Sequence, residues 1–206
     1  MKIDRGTEYH VGDYSYKNYI QLTDAEIRLV WKWRNDSEIR KWMSNPDIIP
    51  YEKHIAYVES LKGRNDVYYW LVFKKNVPIG SFNLTKIDRE NNKAEAGYYL
   101  APELLNSGEG FGLHNNYKQF VYNYLEVEML TGYVLFGNTR TMQMSLFFGA
   151  EIQDIICIDN KQYVRLLAPR DKFNSVEQKG VLLQFVKYCK YNTIDWDKIL
   201  EEHARV

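Results

Sequence analysis

Ala94-Glu95-Ala96-Gly97-Tyr98-Tyr99-Leu100-Ala101-Pro102-Glu103, trailed closely by Asn106-Ser107-Gly108-Glu109-Gly110-Phe111-Gly112, reads as a strand that runs into a glycine-rich loop opening a helix near Phe111. Glycines at alternate positions let the backbone turn tightly and leave successive N–H groups uncovered at the positive end of a helix. A pyrophosphate fits such a place. The string also occurs in ordinary loops, so its context decides. It lacks the Lys-Ser/Thr ending of a P-loop, and several strand-like segments precede it, whereas a dinucleotide fold sets its glycines after the first strand.

Working outward, the segments on either side alternate in a regular order. Thr23 or Asp24 caps an amphipathic helix carrying Ile27, Val30, Trp31 and Arg34, and Arg34-Asn35 closes it. A short helix is expected around Glu38 to Met43, and a third from Tyr51 to Leu61 with Ile55, Tyr57, Val58 and Leu61 as its apolar set. Tyr68 to Phe73, Pro78 to Leu84 and Ala94 to Leu100 then form an antiparallel meander. After the glycine loop come a helix from about Gly112 to Tyr124, a strand Met129 to Leu135, a helix Thr139 to Phe148 stopped by Gly149, and strands Ile152 to Ile158 and Tyr163 to Ala168. Residues 1–19 read as a polar leader dotted with tyrosines, and Lys172 to Gly180 as a loop. Residues 169–206 form a helical extension, expected to pack on the core of a domain spanning 1–168 or on a second subunit in a homodimer.

Composition bounds what this chain does. Its 206 residues, 45% hydrophobic and 15% aromatic, suffice for one well-cored domain. Lys plus Arg equals Asp plus Glu at 27 each, so no bulk charge draws it to nucleic acid or an anionic membrane. Cys157 and Cys189 stand far apart, in no metal-ligand spacing, and no membrane-length apolar run occurs; the expectation is a cytoplasmic, reduced protein without a metal. Trp31, Trp33, Trp42 and Trp70 read as packing residues, because no basic residues interleave with them.

The element order, with a glycine loop after Glu-Ala-Gly-Tyr-Tyr-Leu and Asn138 starting the helix that ends at Gly149, resembles the GNAT superfamily of acetyl-CoA-dependent N-acetyltransferases over roughly residues 20–168. The resemblance implies an α/β fold: a mixed, mostly antiparallel central sheet flanked by helices. The family's pattern of Arg or Gln, two residues, Gly, one residue, Gly or Ala falls on Ser107 to Gly112, with Ser107 in place of the Arg or Gln. Tyr14 to Asn18, Arg34-Asn35, Trp42-Met43, His54, Gly80-Ser81 and Thr85-Lys86-Ile87 are further similar to the nucleotide-sugar acetyltransferases of the pseudaminic acid pathway, which acetylate the 4-amino group of a UDP-linked 4-amino-4,6-dideoxy sugar.

That likeness implies roles for single residues. The diphosphate of acetyl-CoA takes the amides of Gly108, Gly110, Phe111, Gly112 and Leu113 beside Ser107, its pantetheine arm pairs with Tyr98, Tyr99 and Leu100, and Asn138 holds that arm or caps its own helix. Glu95 is the base or an ion-paired strand glutamate; Glu103 and Glu109 read as solvated. Ser145 stands where the family commonly has a tyrosine acid, and is otherwise a small helix residue. Arg34, His54, Thr85, Lys86 and Tyr99 face the sugar nucleotide, with Met43 and Tyr57 as an apolar wall; each also has a bland reading as a cap, a surface histidine or a strand-end lysine. Neither cysteine lies in the expected cleft, so transfer is expected to go by direct attack. The same fold also serves acetylation of protein amino termini or small amines, and a coenzyme-binding subunit without turnover is a third expectation.

Overall fold

The computed structural model describes residues 1–204, which divide into two compact units, Met1–Glu126 and a second beginning at Val127. In the first unit, β1 (Tyr9–Val11), β2 (Tyr14–Asn18), β3 (Tyr68–Lys74), β4 (Val77–Asp88) and β5 (Lys93–Leu100) pair antiparallel in chain order. The turn between β3 and β4 places Lys75 and Asn76 at positive φ, as the tight hairpin turn that matches strand twist requires. Between β2 and β3 lie α1 (Asp24–Asn35), α2 (Ser37–Arg40) and α3 (Tyr51–Ser60); after β5 comes α4 (Glu109–Gln119), which widens into a π turn over Phe120–Tyr124. Thr23 caps α1 in a full capping box with Glu26.

Residues paired across antiparallel strands share a face, so register assigns every side chain in this sheet to one of two layers. On one layer Tyr16, Trp70 and Phe82 meet Tyr117 and Phe120 of the α4 segment, with Tyr16 and Phe120 stacked at 4.1 Å and Phe82 and Tyr117 at 5.0 Å. Asn116 anchors the layer, accepting from the Tyr16 hydroxyl at 2.6 Å and donating to the Val11 carbonyl at 3.0 Å. On the other layer Val30, Trp33, Val58, Leu61, Leu71 and Tyr19 form a core under α1 and α3.

The second unit holds β6 (Met129–Leu135), α5 (Thr139–Phe147), β7 (Glu151–Ile158) and β8 (Lys161–Pro169), with β8 between the other two strands and antiparallel to both. α6 (Arg170–Asn174), α7 (Val181–Tyr191) and α8 (Trp196–His203) come last. Gly149 ends α5 at φ 79°, and a Cβ there would stand 2.6 Å from Lys172 Cβ, so only glycine fits beneath α6. Phe147 packs on Phe185 and Tyr188 of α7 at 5.3 and 5.4 Å, and Trp196 on Phe136 at 4.7 Å, which ties the C-terminal extension to this unit's own helix and strand.

Four expectations are corrected. The leader contains β1 and β2, and Tyr14, Tyr16 and Tyr19 are buried, because alternating tyrosines supply an apolar strand face while looking polar in composition. The segment expected to be a loop from Lys172 begins inside α6. α3 buries His54, Val58 and the adjoining Leu61, leaving Ile55 and Tyr57 more than one-third exposed. Trp42 is 45% exposed and is no core residue.

Candidate active site

The glycine loop is built by its own backbone. Ala101 N–H continues the ladder to Ile79 O at 2.8 Å, Pro102 opens a single turn, and Ser107 Oγ donates to Leu104 O at 2.7 Å while accepting from Glu109 N–H at 3.2 Å. Gly108 is the N-cap of α4 with Ser107 just before it, and the helix begins at Glu109 rather than near Gly112 as expected from the sequence. Gly108 sits at φ 93° with nothing within 4 Å of where a Cβ would stand, and a Cβ on Gly110 would meet only Leu100 Cδ1 at 3.5 Å. Open space over these amides, at the N-terminus of an 11-residue helix, fits a diphosphate. A Cβ on Gly112 would meet the Tyr14 hydroxyl at 2.5 Å, so any larger residue there has to push the end of that side chain aside. The Leu113 and Phe111 side chains are core and the Phe111 N–H donates to Gly108 O at 3.2 Å, so the open amides of the loop are those of Gly108 and Gly110.

Tyr98 and Tyr99 point to opposite layers. Tyr98 shares a hydrogen bond with His114 Nδ1 at 2.9 Å, and burial raises its phenol pKa. Tyr99 turns toward the helices: its hydroxyl donates to Val30 O at 3.4 Å beside the hydroxyls of Tyr19 and Ser81, which are 2.7 Å apart. Around it stand Tyr69, Tyr57 and Arg34. Arg34 Nη2 donates to Asn45 O at 2.6 Å, and its buried Nη1 has no protein partner. Burial lowers the Arg34 pKa, with Tyr99 and Tyr69 opposing. His54 is also buried, with its Nε2 unpartnered; burial, aided by the Arg34 charge, lowers its pKa and keeps the ring neutral at pH 7. The structure thus brings Arg34, His54, Tyr57 and Tyr99 together and adds Tyr19, Tyr69 and Ser81, which sequence reasoning missed. Their signal was positional: Leu71 pairs with Ser81 and Ser81 with Tyr99, so every second residue of three adjacent strands shares this layer.

The remaining acceptor residues lie further along the same face. Thr85 is paired with Glu95, four residues from the Ser81–Tyr99 pair, or about 13 Å along the strand. Lys86 Nζ donates to Glu95 Oε2 at 2.8 Å and Thr85 Oγ1 to Glu95 Oε1 at 3.5 Å, so Glu95 is held in an ion pair with Lys86. Asn83 lies between the groups, its Oδ1 2.9 Å from where a Cβ on Gly97 would stand. Met43 is half-buried in the turn after α2.

In the second unit, Asn138 caps α5, its Oδ1 accepting from Thr141 N–H at 3.2 Å, and Ser145 is buried in that helix. Cys157 is exposed, Cys189 half-buried, and both are free thiols. Among the described residues no group of three or more His, Cys, Asp or Glu is set to hold a metal, and no helix is long and apolar enough to cross a membrane.

The acetyltransferase (GNAT) domain family matches residues 19–150. The chain belongs to this family. The GNAT acetyltransferase is 30% identical over 128 residues to acetyltransferase PseH of Campylobacter jejuni subsp. jejuni serotype O:2, covering 62% of this chain and 78% of that protein. Spermidine N-acetyltransferase from Vibrio cholerae, solved with CoA and spermine, superposes with a TM-score of 0.70 at 15% identity, over 79% of this chain and 99% of that one. Campylobacter jejuni PseH in complex with acetyl coenzyme A gives 0.60 at 24% identity, over 76% and 99%. These likenesses establish the GNAT fold, and family membership makes the chain an acetyl-CoA-dependent N-acetyltransferase.

Proposed function

We propose that this GNAT acetyltransferase moves acetyl from acetyl-CoA to the amino group of a nucleotide-linked amino-deoxy sugar of the UDP-4-amino-4,6-dideoxy type, in the cytoplasm. The observation that carries the reading is Arg34, a half-buried guanidinium with a buried, unpartnered nitrogen amid tyrosine hydroxyls. A buried donor of this kind is costly unless a ligand satisfies it, and a planar cation matches a phosphate or a uracil carbonyl. Lys86, about 13 Å along the strand, suits the far end of an extended anionic acceptor. The kinship with PseH supports the same class.

Acetyl-CoA supplies the acetyl thioester, and the amine attacks it directly. The open amides of Gly108 and Gly110 hold the diphosphate, and the β5 backbone at Tyr98 to Leu100 aligns the pantetheine. Glu95, once Lys86 turns to the acceptor, takes the amine proton directly or through water. Ser145 replaces the family's phenol with a far weaker acid, so water protonates the leaving thiolate. The phenols of Tyr19, Tyr69 and Tyr99, whose pKa values burial raises, remain donors to the sugar at neutral pH.

A polyamine, the ligand of the Vibrio cholerae structure, is disfavoured by the Arg34 charge. Measuring free thiol released from acetyl-CoA across an amine panel tests the assignment. Release with a UDP-4-amino-6-deoxy sugar and not with spermidine, peptide amino termini or aminoglycosides is expected. Release only with the latter three moves the acceptor class, and coenzyme binding without any release identifies a non-catalytic subunit.

A further inference from the structure

Glu109 is the one acidic residue in the first turn of α4, between Gly108 and Gly110, so a carboxylate stands within a turn of the amides assigned to the diphosphate cradle. Left pointing over the helix tip it would occupy the anion's place and repel it. The structure turns it aside. Both carboxylate oxygens accept from Lys74 Nζ, at 2.7 and 2.8 Å, at the end of β3. Oε2 stands 3.9 Å from where a Cβ on Gly112 would be, on the side of α4 that faces β2 and β3, beneath the Tyr14 hydroxyl. Lys74 and Tyr14 are paired across β2 and β3, so both reach α4 from the sheet. The Lys74 ammonium lies 5.4 Å from the Tyr14 ring centroid, which limits where it can swing. Burial is the largest single influence and works against the lysine's charge, but the hydrogen bonds and charges of Glu109 and Tyr14 together outweigh it, so its pKa is raised.

We propose that Lys74 is a positioning residue for the coenzyme: it draws the Glu109 carboxylate off the cradle and neutralises it, so that α4 receives a diphosphate despite an acid in its first turn. The proposal rests on the glycine loop being the coenzyme site. The pair is about one-third exposed at each side chain, so its contribution to stability is small and its consequence is local charge.

The test is acetyl-CoA titration calorimetry on the whole chain at low and high ionic strength. Lys74→Ala weakens binding about tenfold at low salt and less at high salt, and Lys74→Arg binds like the parent. The deciding variant is Lys74→Ala with Glu109→Gln, which recovers parental affinity because the carboxylate that needed holding is gone. If the double variant stays as weak as Lys74→Ala, Lys74 touches the coenzyme itself and the proposal fails; it fails also if Lys74→Ala binds like the parent. Gly110→Asp separates this from failure of the loop assignment, since its Cβ has room and its charge enters the cradle. Weakening by more than about a hundredfold supports the cradle on which the proposal stands, whereas parental affinity overturns both.

Discussion

The two layers of the β4–β5 ribbon are made from alternate residues of the same short segments, yet they differ in almost every property. Toward α4 the ribbon shows Phe82, buried Leu84 and Tyr98, with the Phe82 and Tyr98 rings packed against Tyr117, Phe120 and His114 at 5.0 to 6.2 Å. Toward α1 and α3 it shows Ser81, Asn83, Thr85, Glu95 and Tyr99, with Arg34 and His54 each keeping a buried nitrogen unpartnered. One layer is built of packed rings, with the Trp70 indole nitrogen a buried donor left unpartnered among them; the other gathers polar side chains around an unspent guanidinium nitrogen and an unspent imidazole nitrogen. A protein that must bind a polar ligand carries that second kind of surface at some cost in stability.

The largest expected effect lies on the aromatic layer. Phe82→Ala removes a fully buried ring at the centre of the stack and should cost about 3–5 kcal/mol in urea unfolding, while the Michaelis constants of the folded fraction stay put. A loss below about 1 kcal/mol would erase the contrast. On the polar layer, Arg34→Ala should raise the Michaelis constant for the sugar nucleotide by the equivalent of about 1.5–3 kcal/mol, and Lys86→Ala by less because its ammonium is two-thirds exposed. Both should leave the constant for acetyl-CoA unchanged; equal loss for the two substrates would contradict the division of labour.

The remaining effect is a pH dependence. Burial pulls the Lys118 pKa on α4 down to about 7 from 10.5. Between these values the unfolded chain binds a proton that the folded chain does not, so stability should rise with pH from 7 toward 9 by at most about 1.4 kcal/mol per unit. Lys118→Met should abolish that rise; parallel profiles would show that Lys118 keeps its charge when folded.

Much of this division was legible in the sequence because strand alternation and caps are local codes. The meander, the Thr23 cap, the Gly149 stop and the glycine loop each arise from a few neighbouring residues. What escaped depends on distant partners. Tyr14 and Tyr16 look polar until α4 covers them, His54 looks like a surface histidine until α3 turns it inward, and Glu109 looks solvated because Lys74 lies 35 residues away. Ser81 and Tyr69 emerge only once register pairs β3 with β4 and β4 with β5.

Difference hydrogen exchange with each substrate in turn tests the central division most directly. Acetyl-CoA should slow exchange in peptides covering residues 106–113, and the UDP-amino sugar in peptides covering Arg34 to Tyr57 and Ser81 to Tyr99. Protection of the polar layer by acetyl-CoA, with residues 106–113 exchanging as in the free protein, would contradict the account.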